Sequence, residues 1–323
     1  MYRHTISLLL TVLLMTGVSL AQDLQFHFIP DFLQPPPGKT TVGNGHGEIG
    51  VDAAGNIYVS VMEADAGLQV YSPEGKYLRS LPLPASIHGF VIRQTADGEF
   101  IYATVLNEQR ILQCTLDGKT VLEIPTTSFP ADKIATEKDK KLHLTNCDVA
   151  PNGDIYAVDG YGQSWIFVFD KHGQFKKVFG GPVEPYKLAN CHKIFVDHRF
   201  EPARLFLCDR GNNRLLHLDL DGNILGVIAQ DGLRRPSSAS FHGDLVCVAE
   251  IAGRVSIWNK EGVMVATLGQ NDTPGQTNTP KVAPKDWRQG VVTSPHGITF
   301  DAQGNILETE WNQYGRVLKW DRQ

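Results

Sequence analysis

Residues 147–180 read CDVAPNGDIYAVDGYGQSWIFVFDKHGQFKKVFG, and this stretch shows a pattern that the rest of the chain repeats. Short apolar runs rich in β-branched and aromatic residues alternate with breaks that contain Gly, Asn or Asp. Such breaks tolerate the positive φ angles of tight hairpin turns. The stretch therefore predicts a four-stranded antiparallel meander without a helix. One meander cannot bury both of its faces, so we expect the unit to recur along the chain.

The signature of an inner strand, a turn and a second strand occurs six times. The copies are IGVDAAGNIYVS (49–60), FVIRQTADGEFIYAT (90–104), CDVAPNGDIYAV (147–158), IFVDHRFEPARLFLC (194–208), SASFHGDLVCV (238–248) and ITFDAQGNILET (298–309). Six copies predict an all-β fold, a six-bladed β-propeller. The last repeat has only three strands, whereas residues 25–29 form an isolated strand before the first repeat. We expect this N-terminal strand to complete the last blade and close the ring, so that no sheet edge stays open.

The first 21 residues, MYRHTISLLLTVLLMTGVSLA, have the features of a signal peptide. A basic head with Arg3 and His4 precedes an apolar run, and Ser19-Leu20-Ala21 is a small-residue cleavage site. The apolar run is short for a membrane span. We therefore expect residues 1–21 to be removed and residues 22–323 to form one propeller domain that is secreted or periplasmic.

Charge and composition narrow the class of partner. The formal net charge is −5 and both signs are mixed along the chain, so nucleic acid is not an expected partner. No later run is long and apolar enough to cross a membrane, so no membrane association is expected after cleavage of the signal peptide. A monomer that takes a small molecule or a peptide at the mouth of its channel is the simplest expectation.

Five cysteines are an odd number, so at least one of them is unpaired within the chain. Cys147 and Cys191 lie near the starts of inner strands in adjacent blades, and export would permit a disulfide between them. Buried free thiols in strands are the expected state.

Three histidines occupy nearly the same place in their repeats. His88, His192 and His296 each stand just before the inner strand, in blades two, four and six, and are separated by 104 residues each time. Alternate blades of six lie a third of a turn apart, so the three imidazoles should converge at one mouth of the channel. Three protein nitrogens with one open position suit a zinc ion. The alternative is that histidine caps a strand at this place in the repeat, and for His46, one residue out of register in blade one, the structural role is preferred.

Two further side chains should reach the same mouth, because the turn between the second and third strands returns to it. Tyr161 follows Asp159-Gly160 in that turn of blade three, and Arg210 follows Asp209 in the corresponding turn of blade four. A tyrosine beside a cation can act as a base, since the cation lowers the pKa of nearby donors. An arginine offers a planar fork for a carboxylate. The alternatives are packing at the rim for Tyr161 and an internally bonded turn for Asp209-Arg210.

These residues carry a family resemblance. The repeats look like NHL repeats, which DRGNNRLLHLDLDGNILG (209–226) matches closely, and the chain resembles the peptidyl-α-hydroxyglycine α-amidating lyases, which are six-bladed NHL-type propellers with a zinc site. The matching stretches, which cover most of the mature chain, include IHGFVIRQTADGEFIYATVLNEQRILQCTLDG, DVAPNGDIYAVDGYGQSWIFVFDKHGQFKKVFG, CHKIFV, LFLCDRGNNRL and SPHGITFDAQGNI. The resemblance implies zinc ligands at His88, His192 and His296, a catalytic tyrosine at Tyr161 and an active-site arginine at Arg210.

The chain also departs from that family. A second active-site arginine of the family would fall near Met62 or Glu63, the acidic residue that helps to bind calcium is Gly297, and the methionine two before the last histidine is Ser294. The cysteine that follows the catalytic tyrosine is Gly162. Zinc and a related reaction are therefore better supported by the sequence than the amidating substrate or a structural calcium.

The resemblance implies a carbon–nitrogen lyase that cleaves a C-terminal α-hydroxyglycine to a peptide amide and glyoxylate. Two other classes stay open: a non-catalytic NHL propeller that binds a protein or a glycan through its loop-rich face, and a lactonase-like hydrolase. Lactonase-like propellers usually rely on acidic and Asn ligands, whereas the symmetric residues here are histidines.

Overall fold

The computed structural model describes residues 24–64, 66–134 and 142–323, and this part of the chain is an all-β propeller of six four-stranded antiparallel sheets. The strands are β1 (Phe26–Ile29), β2 (Gly45–Val51), β3 (Ile57–Val61), β4 (Leu68–Tyr71), β5 (Tyr77–Ser80), β6 (Ile87–Thr95), β7 (Gly98–Val105), β8 (Arg110–Thr115), β9 (Thr120–Ile124), β10 (Asn146–Val149), β11 (Ile155–Val158), β12 (Trp165–Phe169), β13 (Phe175–Gly180), β14 (Cys191–Asp197), β15 (Arg204–Asp209), β16 (Arg214–Leu218), β17 (Ile224–Ala229), β18 (Pro236–His242), β19 (Leu245–Glu250), β20 (Arg254–Trp258), β21 (Met264–Leu268), β22 (Pro295–Phe300), β23 (Ile306–Glu310) and β24 (Val317–Arg322). One short helix, α1 (Ala131–Ile134), and three single 3₁₀ turns, Thr126–Ser128, Arg210–Asn212 and Pro284–Asp286, lie in the connections between these strands. The predicted fold class is confirmed.

Blades one to five are successive four-strand meanders from β2 to β21, and the sixth has the strand order β1-β24-β23-β22. Phe26 pairs with Arg322 and Phe28 pairs with Trp320, so the N-terminal strand closes the ring as predicted. The predicted signal peptide, residues 1–21, lies outside the described residues. None of the described helices is both long and apolar enough to span the hydrocarbon core of a membrane.

Aspartates close recurrent hairpin turns within the blades. The side-chain Oδ1 of Asp219 accepts hydrogen bonds from the backbone N–H groups of Asp221 and Asn223. Asp170 and Asp301 make the same pair of bonds in their own turns. Gly222 takes a φ of +98°, which a side chain would make costly. The Asp-x-x-Gly pattern is therefore a local signal for each hairpin.

The cores lie between neighbouring blades, because side chains of a strand alternate between its two faces. Ile306 of β23 packs with Cys247 and Ala249 of blade five, whereas the next residue, Leu307, packs with Ile49 of blade one. The first strands of the blades, β2, β6, β10, β14, β18 and β22, contact one another in a closed ring around the channel. This ring fixes the positions of the residues at its mouth.

All five cysteines, Cys114, Cys147, Cys191, Cys208 and Cys247, are buried and free in the described chain. Burial raises the pKa of the Cys147 and Cys191 thiols above its usual range. The expected state of buried thiols is confirmed, and no disulfide joins Cys147 to Cys191.

We predict that removal of residues 24–33 lowers the free energy of unfolding by at least about 2 kcal/mol, since the half-buried Phe26 and Phe28 lose their packing in the last blade. Chemical denaturation measures this change. His27→Ala is the matched control, because His27 is the exposed residue of the same strand and its loss should change little. A truncated protein that unfolds at the same denaturant concentration as the parent contradicts the closure.

Candidate metal centre

Three histidines stand in β-bulges at the start of inner strands. In β6, β14 and β22 the register shifts by one residue between Ile87 and Gly89, Cys191 and Lys193, and Pro295 and Gly297, and the extra residue is the histidine each time. A bulge re-aims its side chain out of the normal alternation of a strand. Each imidazole is thereby directed to the channel mouth.

The structure brings the three imidazoles together. Ring centroids are 5.0 Å apart for His88 and His192, 4.9 Å for His88 and His296, and 4.7 Å for His192 and His296. All three side chains are fully buried. Rings that pointed into separate blades would have excluded a shared site, and these rings do not.

Each of the three rings is oriented by a backbone carbonyl of the next blade round the ring. The Nδ1 atoms of His88, His192 and His296 lie 2.8, 2.6 and 2.9 Å from the carbonyl oxygens of Thr145, Ser237 and Gly47. A carbonyl oxygen only accepts hydrogen bonds, so Nδ1 carries the proton and donates it. The Nε2 lone pair of each ring then faces the centre of the cluster, as in histidines that bind metals.

The cluster favours neutral imidazoles. Burial lowers the pKa of His88, His192 and His296 well below its usual value. The positive charge of Lys193 lowers the pKa of all three further, and Arg210 adds to the shift at His192 and His296. A neutral imidazole is the form that binds a metal ion. The rings therefore need no deprotonation near neutral pH to act as ligands.

Tyr161 completes the cluster from blade three. Its turn follows β11 and is held by Asp159, whose Oδ2 accepts the backbone N–H of Gln163 at 2.9 Å. The phenolic oxygen lies 3.0 Å from Nε2 of His88 and 3.1 Å from Nε2 of His192. Burial raises the pKa of this phenol, and Arg210 partly opposes the shift.

The cluster has too few hydrogen-bond donors to pair the Nε2 lone pairs of all three histidines. A phenol has one proton, so Tyr161 can donate to only one of the two rings, His88 or His192, at a time. Nε2 of His296 is buried and has no hydrogen-bond partner in the described part of the chain. At least two lone pairs therefore face the centre without a donor, although buried polar atoms are nearly always paired. A bound cation would satisfy them.

Arg210 lies beside Tyr161, as the sequence predicted for the turn of blade four. Its guanidinium carbon is 5.5 Å from the centre of the Tyr161 ring, and its exposed fraction is 7%. Its Nε donates to Oδ1 of Asn190 at 2.8 Å, and the amide of Asn190 donates to the carbonyl of Gly160 at 2.7 Å. Asn190 thus ties the arginine to the turn that carries the tyrosine.

The described residues of blade one offer no second arginine at the mouth. Oε1 of Glu63 accepts the backbone N–H of Asn44 at 2.8 Å, and its Oε2 lies 3.4 Å from Lys39. The turn near Met62 is therefore bonded to the segment that precedes β2. Gly297, the position of the calcium-binding residue in the family that the chain resembles, is tightly packed, because an added Cβ would lie 2.4 Å from Oε1 of Glu48.

A buried ion pair crosses the channel below the histidines. Nζ of Lys193 lies 3.2 Å from Oε2 of Glu48 and donates to the carbonyl of His88 at 3.1 Å. Glu48 also accepts the hydroxyl of Ser238 at 2.7 Å and the N–H of Ile298 at 2.8 Å. Both charged side chains are at most 2% exposed. This group, called here the channel ion pair, separates the histidines from a cavity of about 350 Å³ at the other end of the channel.

His46 also belongs to the cluster, contrary to the structural role preferred for it from the sequence. Its Nε2 is 3.2 Å from the Tyr161 hydroxyl, and its ring lies 5.1 Å from that of His88 and 5.0 Å from that of His296. Burial lowers its pKa to about 4, with help from Arg210 and Lys193. The bulge of β2 is one residue larger than the others, since Gly45 pairs with Val61 but Ile49 pairs with Val59. The signal that could have found His46 is the dipeptide His-Gly, which it shares with His88 and His296.

Comparisons with known proteins establish the fold. No family model matches the chain. Selenomethionine-substituted virginiamycin B lyase from Staphylococcus aureus is 16% identical with a TM-score of 0.56, covering 93% of this chain and 88% of its own. A Bacteroides thetaiotaomicron protein of unknown function is 13% identical with a TM-score of 0.59, covering 86% of this chain and 70% of its own. A gluconolactonase-like protein is 13% identical with a TM-score of 0.58, covering 90% of this chain and 94% of its own. The chain thus shares its propeller fold with proteins of lyase and lactonase type at low identity.

Proposed function

We propose that the protein is an exported zinc-dependent lyase that resembles the peptidyl-α-hydroxyglycine amidating lyases, with NHL-type blades. The observation that carries the proposal is the set of unpaired Nε2 lone pairs among buried, neutral histidines. His88, His192 and His296 would hold the ion. This donor set contains imidazoles and no carboxylate, which suits zinc and disfavours magnesium or calcium, since both of these prefer oxygen ligands.

When bound, zinc would supply Lewis acidity that lowers the pKa of a substrate hydroxyl. The other parts of the reaction belong to the chain itself. Arg210 would hold the substrate carboxylate through its planar fork, next to Tyr161. Tyr161 lies within hydrogen-bond reach of the histidine nitrogens and would take the proton of the hydroxyl. Tyr161 would have to be ionised to accept that proton. Burial raises its pKa, so the ionised form would depend on the positive charges of Arg210 and of the bound ion.

The proposed substrate is a peptide that ends in α-hydroxyglycine, or a small molecule with the same group. Loss of the hydroxyl proton allows a C=O bond to form as the carbon–nitrogen bond breaks. The bonding electrons pass to the nitrogen, which takes a proton and leaves as the peptide amide, and the remainder is glyoxylate. Because Met62 and Glu63 stand where a second arginine would be, we expect the carboxylate to be bound weakly by Arg210 alone.

The test is a metal analysis of the purified protein together with an assay of glyoxylate release from such a peptide. We expect one zinc per chain and release of glyoxylate. Stoichiometric zinc without release at saturating peptide would contradict the lyase and favour another substrate or a binding role. Protein that cannot be loaded with metal would contradict the metal centre itself and favour the non-catalytic propeller.

We predict that His192→Ala removes both the bound zinc and the activity, because His192 is fixed by Ser237 with its Nε2 aimed into the cluster. Metal content after dialysis and glyoxylate release measure the two effects. His217→Ala is the control. His217 lies on β16 and bonds Asp197 at the end of β14 that is remote from the cluster. A zinc affinity of His192→Ala equal to that of the parent protein would exclude His192 as a ligand.

A further inference from the structure

The four histidines form two overlapping triads that share His88 and His296. His192 completes one triad, with ring centroids 5.0 and 4.7 Å from the shared pair. His46 completes the other, with ring centroids 5.1 and 5.0 Å from the same pair. The proposed zinc site uses the first triad only. The second is equally compact and has no assigned role.

The possible ligand atoms of the second triad, and not only its ring centres, lie close to one another. Within residues 24–64, 66–134 and 142–323, His46, His88 and His296 form the group whose possible ligand atoms all lie within 4.8 Å of one another. Nitrogen ligands of a tetrahedral zinc are about 3.3 Å apart, given zinc–nitrogen distances of about 2.0–2.1 Å. Ligand atoms as far apart as this limit would come closer on metal binding through a small inward movement of one ring.

His46 is the ring that has freedom to move. It is only partly buried, whereas His88, His192 and His296 are fully buried. Its Nδ1 makes no hydrogen bond to another described residue, in contrast to the carbonyl bonds of the other three. It stands in the enlarged bulge of β2, between Gly45 and Gly47. Its Nε2 already faces the Tyr161 hydroxyl at 3.2 Å.

We propose that His46 is a fourth imidazole ligand, so that the resting metal ion is held by His46, His88, His192 and His296. His46 then occupies the position that a three-histidine site leaves open to water. A substrate oxygen would have to displace His46 from the metal ion or bind as a fifth ligand beside it. Tyr161 lies next to His46 and would be in place to receive the proton of that oxygen. This inference rests on the proposed metal centre, and it does not depend on which reaction the centre performs.

The experiment compares His46→Gln with the wild-type protein in two metal forms. Competition with a chelator measures zinc affinity, and visible absorption of the cobalt(II) form reports its coordination. We expect His46→Gln to weaken zinc binding by at least about 100-fold. Even the loss of a hydrogen-bond partner of a metal ligand lowers metal affinity about 10–100-fold. We also expect azide to change the cobalt spectrum of His46→Gln, which has an open position, at concentrations that leave the wild-type spectrum unchanged.

Two further variants keep the test decisive. His46→Cys should bind cobalt with a sulfur-to-metal charge-transfer band, which a structural residue at this place would not produce. His27→Gln, an exposed change outside the channel, should leave affinity and spectrum unchanged. Unaltered zinc affinity in His46→Gln, with azide acting equally on both proteins, overturns the proposal.

The outcomes also separate this inference from the proposed function. Zinc bound by four histidines without glyoxylate release would sustain the inference and contradict the lyase. Glyoxylate release by a wild-type protein whose zinc affinity survives His46→Gln would sustain the lyase and overturn the inference. A wild-type protein that binds neither zinc nor cobalt overturns both.

Discussion

Replacement of Lys193 with methionine is expected to lower the free energy of unfolding by about 3–5 kcal/mol, the usual cost of leaving a buried charge without its partner. Glu48 would keep three hydrogen-bond donors, Ile49, Ser238 and Ile298, but would lose its only nearby cation in the described channel. Desolvation already raises the pKa of Glu48, and Lys193 opposes that shift. The variant should therefore take up a proton at Glu48 on folding. Chemical denaturation at two pH values measures both effects.

The controls for Lys193→Met separate the channel ion pair from surface charge. Lys177→Met removes an exposed partner of Asp221 and should change stability by at most about 1 kcal/mol. The double variant Glu48→Gln and Lys193→Met should recover much of the loss, because it leaves no unpaired charge in the channel. An effect of Lys193→Met as small as that of Lys177→Met would show that the channel ion pair does not hold the blades together.

Replacement of Tyr161 with phenylalanine is expected to reduce turnover of an α-hydroxyglycine peptide by about 10²–10⁴-fold, the usual contribution of a general acid or base. The substitution removes the hydroxyl that lies 3.0–3.2 Å from the Nε2 atoms of His46, His88 and His192. The ring itself remains to pack against Arg210. Zinc content should be unchanged, because the histidine ligands remain in place. The assay is kcat at saturating peptide, with metal analysis of the same sample.

A matched tyrosine supports the interpretation of Tyr161→Phe. Tyr186 donates its hydroxyl to the carbonyl of Gly222 at 2.8 Å, at the side of blade four, and Tyr186→Phe should leave turnover unchanged. A full rate in Tyr161→Phe would remove the tyrosine from the proposed reaction. Loss of zinc in Tyr161→Phe would instead show that the phenol supports the metal ion.

The blades were predictable from sequence because their signals are local, and the closure followed from a last repeat of three strands and an isolated N-terminal strand. The aspartate turns and the alternation of apolar residues lie within a few residues of each other. The meeting of His88, His192 and His296 followed from one further assumption, that equal places in the repeats become equal places in the ring. That assumption is met because each of these histidines occupies a bulge of the same size.

The place of His46 in the cluster and the channel ion pair could not be predicted from the sequence repeats. The larger bulge of β2 is defined only by the pairing of Gly45 with Val61 and of Ile49 with Val59, which single-sequence patterns do not reveal. Glu48 and Lys193 belong to blades on opposite sides of the channel and are 145 positions apart in the sequence. No turn or periodicity links such residues. Contacts across the axis are a product of ring closure, and sequence repeats describe only one blade at a time.

The pairing of β1 with β24 makes ring closure a late step in folding. A chain made from its N-terminus must hold β1 unpaired until β24 has emerged, and only then is blade six complete. His296 belongs to that blade, and its ring is oriented by the carbonyl of Gly47 in blade one, so it takes its final place late. Partly made protein should therefore bind little metal. If the proposed export precedes folding, the compartment in which β1 meets β24 also decides which metal ions the histidines encounter.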